Sequence, residues 1–194
     1  MKAREVAVIG IMLGLALMLD LMPVEMPTVW GMKIDLVAVP IIMAYLITGF
    51  RGGLITTFLL FLGLSITSQA GWLGAMMKAV ATFSVLLGLE VAKRVTGFDL
   101  EGAGRRELVI FSLIAYFIGL AFRVPLMVAL NYYIALPIWL GLPREEVIEA
   151  VENWTHVPFW IAIGLPNAIQ SVIDVFLGVA LTVPVLRRVP HLLD

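Results

Sequence analysis

Three observations predict an all-α integral membrane fold, six transmembrane helices in a single bundle with both termini cytoplasmic. Hydrophobic residues make up 61% of the chain and charged residues 14%, with a mean hydropathy of +1.03, whereas soluble domains are about half apolar and about a quarter charged. The apolar residues fall into six runs, near 5–22, 35–50, 53–69, 73–92, 107–136 and 159–186, most of them near the roughly 20 residues that a helix needs to cross a bilayer. Of the basic residues, Lys2, Arg4, Arg51, Lys93, Arg94, Arg105, Arg106, Arg187 and Arg188 fall on one side of that map and only Lys33 and Arg144 on the other. Positive charge collects on the cytoplasmic side. These runs and their connections use up residues 1–194, so one membrane domain is the whole of the chain.

The first run follows Met1-Lys2-Ala3-Arg4, a basic start shared with signal peptides, but it continues to Met22 with no small-residue cleavage site and is expected to remain as a span. Ala7, Gly10 and Gly14 share one of its faces in a small-x-x-x-small pattern that permits close contact, within the bundle or with a partner membrane protein. The second run opens at Asp35, and Arg51-Gly52-Gly53 is expected as the tight turn into the third. The fourth carries Lys78, and the fifth carries Arg123, Met127 and Asn131 at four-residue steps. Between the fifth and sixth, Pro143 followed by Arg144-Glu145-Glu146 predicts a short external helix over about 143–152. On the sixth, Asn167, Gln170 and Asp174 follow i, i+3, i+7 spacing and form one polar stripe.

Polar groups inside apolar runs are costly unless partnered, so they face a bundle interior, a water cavity or a ligand. Counting along each span at about 1.5 Å per residue puts Lys78, Asn131, Asn167, Gln170 and Asp35 in the outer leaflet, where they are expected to converge on one pocket. Arg123 and Asp174 come out deeper and at matched depth, which predicts a structural ion pair. Lys78 has no carboxylate at its depth except Asp35 and is therefore expected to bind ligand. All five tryptophans, Trp30, Trp72, Trp139, Trp154 and Trp160, lie at or near the external face. They suggest an aromatic mouth covered by the 23–34 and 137–158 loops.

A net charge of −1 supplies no field for nucleic acid, and there is no cysteine for a thiolate site. His156 and His191 lie outside the runs, and no His-Glu-x-x-His, Gly-x-Ser-x-Gly or phosphate-cradling loop is present. An enzyme is disfavoured, and no cofactor or metal site is expected. A binding subunit and a stand-alone channel or proton-linked carrier, with Lys78, Arg123 and Asp174 as a charge relay, both remain open at this point.

Several segments in order resemble the substrate-binding S components of energy-coupling factor vitamin transporters, most closely the riboflavin-specific members. Met32-Lys33-Ile34-Asp35-Leu36-Val37-Ala38-Val39-Pro40 resembles that family's Lys-Leu-Asp-Phe-Ser-x-x-Pro stretch. Asn131-Tyr132-Tyr133-Ile134-Ala135-Leu136-Pro137 is similar to its Asn-Tyr-Tyr-x-x-x-Pro segment, and Leu165-Pro166-Asn167-Ala168-Ile169-Gln170 to its Pro-Phe-Asn-Leu-Ile-Lys. The resemblance implies a six-helix subunit that captures a vitamin from outside, with a transmembrane coupling subunit and two cytoplasmic ATPases as partners. It places ligand contact at Asn131, with Tyr132 beside it, and partner contact at Ala7, Gly10 and Gly14. Two positions depart from the pattern: Gln170 stands where the family has Lys, and Lys78 where Asn is expected. If both line one pocket, the positive charge is kept and riboflavin is favoured. If not, an anionic or carboxylate-bearing vitamin suits Lys78 better.

Overall fold

The structure, a computed structural model, describes residues 1–22, 25–29, 32–100 and 102–189. Trp30 and His191 therefore lie outside the described residues, as do positions 23 and 24 of the first external loop. Helices form at α1 (Ala3–Leu21), α2 (Ala38–Thr67), α3 (Gly71–Thr96), α4 (Arg105–Leu130), α5 (Leu136–Leu140), α6 (Arg144–Thr155), α7 (Phe159–Val172) and α8 (Gly178–Arg188). Two π-helical turns, Asn131–Ala135 and Ile173–Leu177, join α4 to α5 and α7 to α8 without a break. The stretches Ala38–Thr67, Gly71–Thr96, Arg105–Leu140 and Phe159–Arg188 are each long and apolar enough to cross a membrane.

The second and third apolar runs are joined through one helical segment that turns back on itself, and the break falls at Gly49, not at Gly52-Gly53. Gly49 takes φ 79° and ψ −177°, a conformation essentially reserved for glycine. A Cβ placed on Gly53 would lie 2.8 Å from the Tyr45 Cβ, whereas residues eight apart in a straight helix are separated by about 12 Å. The arms of α2 on either side of Gly49 are therefore packed together as a hairpin. The fifth run also differs from expectation: it does not stop before Pro137 but continues to Leu140, with Pro137 following directly on the π turn Asn131–Ala135, a local irregularity of the kind at which helices accommodate a proline.

Packing runs in sequence order: α1 lies on α2, α2 on α3, and α3 on α4. The chain then closes on itself, with α4 against α7 and α2 against α8. The α3–α4 contact is close because Gly88 faces Gly119; a Cβ on Gly88 would stand 2.7 Å from the Ala115 carbonyl oxygen. One apolar cluster centred on Ile42, Val85, Leu86, Leu89 and Phe111 fills the bundle between these helices, and a second around Val37, Ile41, Leu60 and Leu64 holds α1 to α2. Outward, Val109, Leu113, Phe117, Phe122 and Leu126 leave one side of α4 exposed and apolar, as a lipid-facing surface requires.

Two short structures cap one end of the bundle. Met26–Pro27 (β1) and Lys33–Ile34 (β2) pair antiparallel, with Met26 opposite Ile34 and Pro27 opposite Lys33. The predicted external helix is present as α6, with Pro143 immediately before it and Glu145 and Glu146 in its first turn, where their charge complements the helix N-terminus. Val147 and Val151 of α6 are fully buried in a cluster with Leu136, Phe159 and Ile163. The Glu152 carboxylate accepts the Phe159 N–H at 2.8 Å, tying α6 to the start of α7.

Candidate functional site

The segment between β2 and α2 is not helical, yet it reaches deep into the bundle. Asp35 meets Gln170, eleven residues into α7 and so about 16 Å from that helix's start. Irregular backbone at such depth must find internal hydrogen-bond partners, because no bulk water is there to supply them. Gln170 provides both: its Oε1 accepts the Asp35 N–H at 2.9 Å and its Nε2 donates to the Asp35 carbonyl at 2.8 Å. The Asp35 carboxylate in turn accepts the Val37 N–H at 2.8 Å, ordering the start of α2.

Around this joint three ion pairs assemble on two cations. Lys78 Nζ lies 2.7 Å from Asp35 Oδ2 and 2.8 Å from Asp20 Oδ1, so one ammonium bridges carboxylates from the end of α1 and the entry to α2. Arg123 Nη1 donates to Asp174 Oδ2 at 2.7 Å. Arg123 Nε donates to Asn167 Oδ1 at 3.0 Å, and a weaker contact joins Nη1 to Ser171 Oγ at 3.4 Å. Gln170 Nε2 also donates to Asp174 Oδ1 at 2.6 Å. The polar groups of α1, α3, α4 and α7 thus form one connected network, with Gln170 as the link between the Lys78 and Arg123 halves. Most of its members are buried, Asn167 completely and Arg123, Gln170 and Asp174 nearly so.

This network lines a cavity of about 120 Å³. Asn131 enters it as the first residue of a π turn, and Asp174 from the second π turn. Such insertions change which side chains face inward along an otherwise regular helix. Apolar wall is supplied by Met77, Met127 and Trp139, while Met32 and Lys33 of the β-hairpin close one side. Lys33 is itself paired with Glu25 at 2.7 Å. Asn131 is 5% exposed; its Nδ2 donates to the Met127 carbonyl at 2.8 Å, and its Oδ1 has no protein partner among the described residues. The same holds for Arg123 Nη2 and Asp20 Oδ2, so polar groups remain available at the cavity surface.

The residues expected at a pocket are therefore largely brought together: Asp35, Lys78, Asn131, Asn167 and Gln170 all line this cavity, and Arg123 and Asp174 form the expected pair at its floor. Lys78 and Gln170, the two positions that depart from the family pattern, meet at the same Asp35. Lys78 is not a free cation awaiting a ligand, since it holds two carboxylates. Tyr132 does not line the cavity; it packs edge-on against Phe159, with ring centroids 6.1 Å apart, in the cluster beneath α6. Of the two loops expected to cover the site, the first contributes Met32 and Lys33 from its 32–34 part to the cavity, and the second contributes Trp139. Asp20 and Ser171 were not singled out in the sequence. Asp20 carried a signal, an acid inside the first apolar run. Ser171 carried none, since serine is tolerated throughout membrane helices.

Neither the protein-family models nor the curated proteins give a match to this chain. Among solved structures, one described as the structure and mechanism of the S component of a bacterial ECF transporter superposes with a TM-score of 0.63. The match is 16% identical and covers 100% of this chain and 99% of that one. At that identity the likeness shows the fold: this chain is folded as that S component is, from end to end.

Proposed function

We propose that this protein is the substrate-binding membrane subunit of an ATP-driven uptake transporter of the energy-coupling type, which captures a vitamin, riboflavin in first place, from outside the cell. The observation that carries the reading is the cavity itself. In-span polar residues from four helices and the α2 entry converge on one cavity, in a fold shared over its full length with a transporter S component. A small number of placed polar groups in an otherwise apolar wall is the usual composition of a ligand site. Its volume is below the roughly 300–1,000 Å³ of pockets that hold drug-sized ligands, so a flat heteroaromatic molecule enters by displacing the β-hairpin and Met32. Riboflavin is supported by the meeting of Lys78 and Gln170 at Asp35, which keeps the positive charge in one pocket despite the two exchanged positions.

In this reading six spans cross the cell membrane, the arms of α2 counting as two, with both termini in the cytoplasm. The face of α1 bearing Ala7, Gly10 and Gly14 is exposed, and a Cβ on either glycine would meet nothing within 4 Å. That supports docking on a transmembrane coupling subunit over packing within the bundle. ATP hydrolysis belongs to two separate cytoplasmic subunits, and the role of this chain is non-enzymatic. The absorption and mass spectra of the detergent-purified protein test the ligand: a flavin spectrum, with riboflavin released on denaturation, is expected. Colourless protein that fails to quench added riboflavin fluorescence refutes the riboflavin assignment.

A further inference from the structure

We infer that the cavity selects against negative charge and that Asp20 is a specificity-determining residue of the site, favouring an uncharged or cationic heterocycle with hydrogen-bond donors. This rests on reading the cavity as the ligand site. The charged groups at its wall are Asp20, Asp35 and Asp174 against Lys78 and Arg123, while Lys33 is neutralised at the rim by Glu25. Carboxylates therefore outnumber unneutralised cations by one, and both cations are already held, Lys78 by two carboxylates and Arg123 by Asp174.

The second observation is the direction of the remaining hydrogen-bonding capacity. Asn131, 5% exposed, lines the cavity with its acceptor Oδ1 and the second N–H of its amide unpartnered among the described residues, and Asp20 Oδ2 is a further acceptor without a partner there. The two acceptors call for N–H or O–H donors on the ligand. Arg123 Nη2 is the complementary donor and suits a neutral carbonyl. An anionic group would have to approach Arg123 alone, past the surplus carboxylate, in a space where charge is poorly screened. Asp20 is the member of the acidic set that can be changed without cutting the Gln170 link, because its contact is with Lys78 only.

The test uses the full chain, purified in detergent and freed of bound ligand, with pairs of probes of one ring system that differ by a phosphate: riboflavin and its 5′-phosphate, thiamine and its monophosphate, pyridoxal and its 5′-phosphate. Binding is read by thermal stabilisation and by calorimetry. The unphosphorylated member of one pair is expected to bind at least tenfold more tightly than its phosphate ester. Asp20→Asn is expected to narrow that gap by about tenfold, the scale of one charge several ångströms away at intermediate dielectric, and Asp20→Glu to preserve it. An ester that binds as tightly as its parent, or a gap unchanged in a folded Asp20→Asn protein, overturns the charge selection and leaves the binding-subunit reading standing. Failure of every probe to bind overturns both.

Discussion

Gln170 completes the backbone hydrogen bonding of Asp35, a residue 135 positions away, by accepting from its N–H and donating to its carbonyl. A side chain on α7 thereby stands in for a neighbouring strand. Its amide also holds Asp174, so the entry to α2, the Lys78 pair and the Arg123 pair share one pivot.

Replacing Gln170 by Ala leaves two buried backbone groups of Asp35 unpaired and takes a donor from Asp174. Each unsatisfied buried group costs about 1–3 kcal/mol. Thermal unfolding in detergent is expected to show a loss of roughly 2–5 kcal/mol on that basis, together with loss of retained ligand. Unchanged stability would mean that the Asp35 segment is not held as described.

Lys78→Asn removes the ammonium from between Asp20 and Asp35 and should be strongly destabilising. Adding Gln170→Lys places a cation next to Asp35 again. Because Gln170→Lys by itself also gives up the acceptor for the Asp35 N–H, the double variant is expected to lose less than the sum of the two single losses, with a coupling energy of about 0.5–3 kcal/mol in a double-mutant cycle. Additive losses would show that the two positions do not share one electrostatic site.

Arg123→Leu alone leaves Asp174 buried without its counter-charge, which typically costs about 3–5 kcal/mol. Combining it with Asp174→Leu removes both charges and should restore much of that loss. Chemical denaturation of the single and double variants checks this. A double variant no more stable than the single would assign the pair a role other than charge balance.

Gly88 and Gly10 are expected to behave in opposite ways. Gly88→Val drives a side chain into the backbone of α4, near the Ala115 carbonyl, and overpacking of this kind costs about 1–3 kcal/mol or more. A Cβ on Gly10 meets nothing within 4 Å, so Gly10→Leu should leave unfolding within about 0.5 kcal/mol, while weakening co-purification with a coupling subunit. A Gly10→Leu protein that unfolds early would place that face inside the bundle.

The helices and the polar stripes were legible because lipid makes strong demands on sequence: long apolar runs, charge at one side, and ionisable groups only where a partner waits. The Arg123–Asp174 pair followed from depth and opposite sign alone. The hairpin was placed three residues late, since Gly52-Gly53 reads as the stronger breaker while the positive φ falls at the single Gly49; here Gly53 serves close approach between the arms. Asp20 was missed because it sits near the outer end of its run, where a charge ordinarily meets water, and only the packing of α1 on α2 carries it to Lys78. Tyr132 looked like a site residue from its neighbour Asn131, but adjacent residues on a helix point about 100° apart, and Tyr132 packs against Phe159 instead.

The central claim, that this cavity is a high-affinity binding site, is tested most directly by measuring the ligand bound per purified protein in the wild type and in Asn131→Ala, by mass spectrometry after denaturation. The account predicts near-stoichiometric ligand in the wild type and little in a variant that unfolds at a similar temperature. Equal ligand content in the two proteins, or none in either combined with Asp174-dependent flux through liposomes lacking any ATPase, would contradict it.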